Sequence, residues 1–396
     1  MNVLECIESD KCMGCLACID ACPCYAIENN ISKEGFYKPQ IDNQKCIMCG
    51  KCVETCPVYI KKIHYISTIN KACVFQNANY QTRKSSTSGG FFSAVSDYII
   101  NLGGIIYGVA YDDNWRVKHL RIDNKAEISL LQGSKYVQSD TTDIYKKVMQ
   151  DLSNNYLVCF SGTPCQNAAL LRFLGKRHEN LILIEVICHG VGSPYLWDKY
   201  ISSIRSKYGS EIQSIKFRSK KFGYASSSME VIVNNIHRYY GKIIESFKIL
   251  YFKGYNINPS CFQCKFKNNE RIADLSIFDC WHMNIYDKTR DDDEGTTGIL
   301  INSVNGETII KSLEKNNYIK FINRDELINS DGDMVYCFPK KPEDILKYWN
   351  KVANDENIDE LLNSHAPYNN LKKIKVVSKL ILGKLGISKA LSRRLK

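Results

Sequence analysis

Twelve of the cysteines in this 396-residue chain are spaced for chemistry. Cys12, Cys15, Cys18 and Cys22 form a C-x2-C-x2-C-x3-C run closed by Pro23, and Cys46, Cys49, Cys52 and Cys56 repeat it before Pro57. Thiolates at those steps wrap a cube of iron and inorganic sulfide, and the fourth cysteine of each run ligates the other cube. The expected sets are therefore Cys12, Cys15, Cys18 and Cys56 for one 4Fe-4S cluster, and Cys46, Cys49, Cys52 and Cys22 for a second. A disulfide framework or a pair of zinc sites are the alternatives. Zinc usually gathers two separated C-x2-C pairs, a pattern that three consecutive cysteines followed by a wider step and proline do not match.

Four further cysteines belong together if the chain folds as its pattern suggests. Cys165 stands at a strand-to-helix turn, Cys188 at the end of the next strand, and Cys261 and Cys264 form a C-x2-C. Neighbouring parallel strands would bring the first two to one sheet edge, where a loop carrying the last two could close a four-thiolate site. Zinc and an iron–sulfur cube are both open for such a set. Cys6, Cys24, Cys73, Cys159, Cys280 and Cys337 are expected to be small buried hydrophobes.

The elements that must position these residues follow from periodicity. The cysteine runs repeat at a fixed offset of 34 residues, and Gly35-Phe36-Tyr37-Lys38-Pro39 between them suggests a short hairpin. This segment resembles a bacterial two-cluster ferredoxin, an α+β module whose clusters supply much of its folding energy. Beyond it, strands are expected at Ala72–Phe75, Ile105–Tyr111, Tyr156–Phe160, Leu181–Ile187 and near Ile299–Ser303. Helices are expected at Phe91–Asn101, Thr141–Asn154, Asn167–Leu174 and Tyr195–Tyr208, and from Glu307. A polar loop is expected at Thr82–Ser88, several strands between Ile215 and Val233, and irregular chain from Tyr251 to Asp293. The alternation predicts an α/β body with a largely parallel sheet and ligands at its strand ends. Domains are expected at 1–62, 63–350 and 351–396, the last a linker and a basic tail.

Composition narrows the class. Hydrophobic content of 44% and charged content of 24% describe a globular chain, and no apolar run is long enough for a transmembrane helix. Eighteen cysteines without an export signal favour metal sites in a reducing compartment, so the cytoplasm is expected. The net charge is +11, but Ala366–Lys396 carries nine basic residues and no acidic one. The first 60 residues hold five lysines against eight acidic residues. Positive charge confined to a tail disfavours nucleic acid. Apolar positions from Leu371 to Ile387 are compatible with a basic amphipathic helix. Membrane-surface contact there is the lesser reading beside a helix packed on the body or a sister subunit.

From about Cys73 to about Ile310 the chain resembles the beta subunit of coenzyme F420-reducing hydrogenase and related formate dehydrogenases. The motifs carrying the resemblance are Ser88-Gly89-Gly90, Gly133-Ser134-Lys135-Tyr136, Gly162-Thr163-Pro164-Cys165-Gln166 and Cys188-His189-Gly190-Val191. Lys216-Phe217-Arg218-Ser219-Lys220, Cys261-Phe262-Gln263-Cys264 and Arg271-Ile272-Ala273-Asp274 continue the series. Where relatives have Gly-Asp-aromatic-Trp-Gly, this chain has Phe278-Asp279-Cys280-Trp281-His282. The resemblance implies FAD in the body and a 4Fe-4S cluster on Cys165, Cys188, Cys261 and Cys264. Cofactor contacts would come from Ser88, Gly89, Gly90, Gly133, Ser134, Lys135, Tyr136, Gly162, Thr163, Arg271 and Asp274. A Ser-Gly-Gly before a helix offers backbone N–H groups to a pyrophosphate, and Lys135 could meet a phosphate or the flavin's pyrimidine edge. His189 is a candidate proton donor, or a histidine hydrogen-bonded to backbone or cluster sulfur. Arg271 and Asp274 line the flavin or pair with each other.

The expected activity is that of an iron–sulfur flavoprotein oxidoreductase. It would pass electrons between an organic two-electron substrate, coenzyme F420 or another metabolite, and a redox partner such as ferredoxin or a larger oxidoreductase subunit. The alternative is a non-catalytic polyferredoxin-like adaptor. Oligomeric state is not set by the sequence.

Overall fold

The structure, a computed structural model, describes residues 1–59 and 69–368. The expected boundary at 62/63 and the amphipathic segment from Leu371 lie outside the described residues. In the first module β1 (Ile27–Ile31) and β2 (Tyr37–Ile41) form an antiparallel hairpin, with Ile31 opposite Tyr37. Short helical turns at Ala17–Asp20 and Lys51–Thr55 carry the third cysteine of each run.

The body begins with β3 (Lys71–Asn77), β4 (Ile105–Tyr111) and β5 (Val117–Ile122). It continues through β6 (Val158–Gly162) and β7 (Leu181–Val186). A separate three-stranded antiparallel sheet contains β8 (Ile212–Ser219), β9 (Ser228–Val233) and β10 (Ile236–Arg238). The chain then returns as β11 (Leu275–Cys280), β12 (Thr296–Ile301) and β13 (Asn317–Ile322). The main sheet has the order β13-β3-β12-β11-β7-β6-β4-β5. Its four central strands, β11, β7, β6 and β4, are parallel. β12, β3 and β13 on one side, and β5 on the other, are added antiparallel. The parallel sheet expected from the βα alternation is thus the centre of a mixed one.

Both faces of that centre are covered, which is why its strands are continuous apolar runs. Ile182 and Ile184 of β7 pack under the helix Phe91–Asn101, while Leu181 and Leu183 face the helices Ile144–Ser153 and Pro164–Leu174. Ala17 of the first module belongs to this second core, fully buried beside Tyr107, Tyr145 and Phe160.

Two expectations are corrected. Thr82–Ser85 is helical, within Tyr80–Ser85, because the Asn79 side chain accepts from the Thr82 N–H at 3.0 Å and caps the turn. The irregular region from Tyr251 contains β11, a strand pinned by partners on both sides.

The stretch from residue 351, expected as linker, is partly core. The helices Ile345–Ala353 and Ile358–His365 close the small sheet's hydrophobic cluster with Tyr348, Val352, Ile358, Leu361 and Leu362. The acidic, polar residues from Asn354 to Glu360 concealed the apolar stripe that follows. Leu361 has no exposed surface. Leu361→Ala is expected to cost about 2–5 kcal/mol in denaturant unfolding; a change within about 0.5 kcal/mol would make this segment a mere appendage.

Candidate functional site

The paired cysteine loops share a backbone device. In the first run Gly14 (φ +63°) and Leu16 (φ +58°) are left-handed; at the equivalent positions of the second run so are Met48 (φ +56°) and Gly50 (φ +81°). Each loop therefore places a non-glycine residue in a conformation that L-residues avoid. Alternation of this kind turns successive amide N–H groups into a concavity suited to an anionic cluster. Gly14 is required on a second count: a Cβ there would lie 2.4 Å from the Tyr37 carbonyl oxygen and 2.1 Å from Gln138 Nε2.

The Cys56 sulfur lies close enough to Cys12, Cys15 and Cys18, and also to Cys52, for their charged forms to influence one another. Cys22, Cys46, Cys49 and Cys52 line a separate recess. Cys24 also borders it, its sulfur 3.7 Å from that of Cys22, and is part-exposed rather than core. Cys73, Cys159 and Cys280 are buried as expected, Cys6 is half-buried, and Cys337 is exposed.

Cys165, Cys188, Cys261 and Cys264 line one recess with Cys15, His189, Lys267 and Arg271. β6 and β7 are parallel neighbours, Gly162 opposite Glu185, so the turns after them emerge side by side. Thr163 caps the helix Pro164–Leu174 through a capping box with Gln166, and Pro164 opens it, fixing Cys165 in the first turn. Thr163 Oγ1 lies 3.1 Å from the Cys165 sulfur. The Cys188 loop is held from the other side: Tyr251 donates to the Gly190 carbonyl at 2.8 Å, and the Asn258 N–H to that of Val191 at 3.0 Å.

Burial pushes the Cys165 thiol up to about 12 and that of Cys188 to about 11, so the free thiols stay protonated. Iron would displace those protons and convert buried thiols into paired thiolates. Lys267, donating to the carbonyls of Cys188 and Met334, and Arg271 bring positive charge to the recess wall. Both features fit an anionic iron–sulfur cluster. Among the described residues no three His, Cys, Asp or Glu side chains converge closely enough to hold a single metal ion.

The first module is clamped at Cys15. Gln138 Nε2 donates to the carbonyls of Gly14 (3.1 Å) and Tyr37 (3.2 Å), and its Oε1 accepts from Tyr37 N–H at 2.8 Å. Thr141 and Tyr145 hydroxyls both donate to the Cys15 carbonyl at 2.8 Å. Asp20 accepts from the N–H groups of Asp143, Tyr145 and Lys146, capping a helix of the body. Gln138 carries no motif around it, and sequence reasoning missed it.

The remaining expected contacts divide. Ser88 Oγ lies 3.4 Å from the Tyr224 hydroxyl, and Ser134 N–H donates to Thr87 Oγ1 at 2.8 Å, so the Ser-Gly-Gly and Gly-Ser-Lys-Tyr loops meet. Gly89 N–H donates to Thr297 Oγ1, and a Cβ on Gly89 would lie 2.2 Å from the Phe75 carbonyl oxygen, so this glycine serves strand packing. Gly90 (φ +83°) starts the helix Phe91–Asn101. Gly133 has open space around it. The Lys135 ammonium donates to the carbonyls of Val109, Leu130 and Gln132, and burial lowers its pKa to about 7. Tyr136 stacks on Tyr251 at 5.1 Å, and Tyr251 meets His189 at 5.5 Å, linking the loops to the cysteine recess. Burial and nearby Lys267 hold His189 down to about 4, a neutral ring.

Arg271 and Asp274 do not pair with each other. Arg271 pairs with fully buried Glu185, whose Oε1 also accepts from Ser276 at 2.6 Å. Asp274 pairs with Arg177 and accepts from Leu183 N–H at 2.7 Å, bracing the sheet.

Residues 156–326 match a family described as the C terminus of the coenzyme F420 hydrogenase/dehydrogenase beta subunit, and residues 11–60 match the 4Fe-4S dicluster domain. No curated protein matches the chain. Among solved structures, a chain of the F420-reducing NiFe hydrogenase complex from Methanosarcina barkeri aligns at 15% identity. The alignment covers 74% of this chain and 90% of that one, with a TM-score of 0.44. No helix among the described residues is long and apolar enough to cross a membrane.

Beneath the Cys165 turn, His119 bonds to the Ser161 carbonyl (3.2 Å) and to Ser139 Oγ (3.1 Å), which in turn accepts from Gln166 at 2.9 Å. Burial lowers the His119 pKa to about 4. The unfolded chain therefore takes the proton first, and the stability held above the unfolded value is lost as pH falls towards 4. Between pH 7.5 and 5.5 His119 should contribute a loss of about 1.4 kcal/mol, absent in His119→Gln. Equal pH slopes for the two proteins in urea unfolding would refute the assignment.

Proposed function

We propose that this chain, with matches to the 4Fe-4S dicluster domain and to the C terminus of the coenzyme F420 hydrogenase/dehydrogenase beta subunit, is an FAD-dependent iron–sulfur oxidoreductase. It exchanges electrons between an organic two-electron substrate, coenzyme F420 or another metabolite, and a protein redox partner. The observation that carries this reading is the shared wall: Cys15, of the first ferredoxin set, also lines the recess of Cys165, Cys188, Cys261 and Cys264. Two sets of thiols placed against one another suit electron transfer better than storage of separate structural metals.

In this reading Cys12, Cys15, Cys18 and Cys56 hold one cluster, and Cys22, Cys46, Cys49 and Cys52 the second. Cys165, Cys188, Cys261 and Cys264 hold a third. The Ser88–Gly90, Gly133–Tyr136 and Gly162–Thr163 loops would hold FAD. The flavin supplies exchange of two electrons with a substrate, and the clusters supply exchange of one at a time. The chain's own residues set the conditions. Gln138, Thr141 and Tyr145 hold the Cys15 loop at a fixed position. Tyr136, Tyr251 and Phe252 pack ring against ring with His189 between the proposed flavin loops and the cysteine recess. Lys267 and Arg271 favour the more negative state of whatever fills that recess, raising its potential. His189, neutral and beside Cys188, is suited to hydrogen bonding there, and Lys135 to holding its loop against Val109.

The far end suits a protein partner. Cys49 is exposed and preceded by Ile47 and Met48, which are 65% and 48% exposed. Apolar side chains at an outer cluster, on a module of net negative charge, fit a partner with a basic rim. The adaptor alternative keeps this surface and dispenses with FAD.

Protein purified without oxygen should contain about twelve irons and one FAD per chain. Cys165→Ser should lower iron to about eight while the two ferredoxin clusters persist. Wild-type protein with about eight irons and no flavin would remove the body cofactors and leave the adaptor. Zinc in place of iron would remove the redox reading altogether.

A further inference from the structure

Arg218, on β8, has only 6% of its side chain exposed. Its Nη1 donates to Asp279 at 2.9 Å and lies 3.5 Å from the Tyr136 hydroxyl. The guanidinium lies over the Trp281 ring, 4.5 Å from its centroid, and Trp281 stacks on Tyr224 at 4.5 Å. Its other two nitrogens, Nε and Nη2, are buried without a hydrogen-bond partner among the described residues. Buried N–H groups are nearly always paired in native proteins; several described residues leave one such atom unpaired, but Arg218 alone leaves two on one group.

Nε and Nη2 share one edge of the guanidinium, and their N–H bonds project in parallel. That edge matches the two oxygens of a carboxylate or phosphate. Asp279 does not serve it, being bound at Nη1. Two other cations nearby are already engaged: Lys220 donates to the carbonyls of Arg83, Ser88 and Glu294, and Arg83 forms a two-pronged pair with Asp292. Through Tyr224, which contacts Ser88, and through Tyr136, Arg218 borders both loops assigned to the flavin.

We propose that Arg218 is an oxyanion receptor, its Nε–Nη2 edge taking two oxygens of a carboxylate or phosphate on the ligand of the body. Trp281 and Asp279 are positioning residues, holding the plane and the opposite side of the guanidinium. The inference rests on the reading that the body binds an organic redox ligand. The oxyanion belongs either to the cofactor's pyrophosphate or to an acidic substrate.

The test compares the full-length wild type and Arg218→Lys, both flavin-free, by thermal unfolding with inorganic pyrophosphate against chloride at equal ionic strength. Lysine keeps the charge and the partner for Asp279 but has no fork. Pyrophosphate should stabilise the wild type, with at least tenfold weaker binding to the variant. No pyrophosphate effect on the wild type, or an equal effect on both, would overturn the receptor. Titrations with FAD and riboflavin identify the source. Loss of FAD affinity with riboflavin binding unchanged assigns the cofactor's phosphate, whereas unchanged binding of both assigns an acidic substrate. A wild type that binds neither flavin yet responds to pyrophosphate through Arg218 would end the flavin reading and leave the receptor standing.

Discussion

The structure depends on how the Cys15 loop is gripped. That loop must turn its sulfurs and amide N–H groups inward, which leaves its carbonyls pointing outward and in need of donors. The body supplies them: Gln138 for Gly14, and the hydroxyls of Thr141 and Tyr145 for Cys15. Each satisfied group is worth only about 0.5–1.5 kcal/mol net, but an unmet buried carbonyl would cost more. Ala17, Met13 and Val58 then bury apolar surface against the body, Met13 and Val58 beside Ala168, Phe266 and Ile272. A module with little core of its own is thereby part of a larger one.

Beneath the cysteine recess is a layer of buried charge. Glu185 is held by Arg271 and Ser276, and Ser276 in turn accepts from Asn302, whose amide oxygen accepts from Arg324. Removing one member of such a layer would leave another charged and unpaired, at about 3–5 kcal/mol. The network explains why Arg271, although it reaches the recess, is fixed from below by the sheet. Asp274, three residues on, is directed to Arg177 and the β7 backbone, so its part is to brace the parallel strands whose ends carry Cys165 and Cys188.

Between the Gly133–Tyr136 loop and the cysteine recess the chain uses rings. Tyr136 is packed by Phe217, Tyr251 and Phe252, and Tyr251 is anchored by its hydroxyl on Gly190. Aromatic packing gives this region rigidity with few rotatable bonds, and the polar tips of the rings fasten it to the loops on either side.

The duplicated dicluster module and the buried central strands were legible in the sequence, because each follows from local spacing or periodicity: three-residue cysteine steps, a 34-residue offset, apolar runs at β6 and β7. Other features had no local signal. Gln138 is one residue whose task depends on two carbonyls far away in the chain, and Ile358–His365 reaches the core by packing on the helices Pro194–Tyr208 and Lys242–Phe252. Arg271 and Asp274, close in sequence, took separate partners because the neighbouring strand offered Glu185 to one, while Arg177 and the β7 backbone met the other. The sequence by itself determined which atoms could bind iron, since covalent spacing limits what a short loop can wrap. Only the tertiary structure decided which sets lie against each other, because that depends on desolvated contacts between segments far apart in the chain.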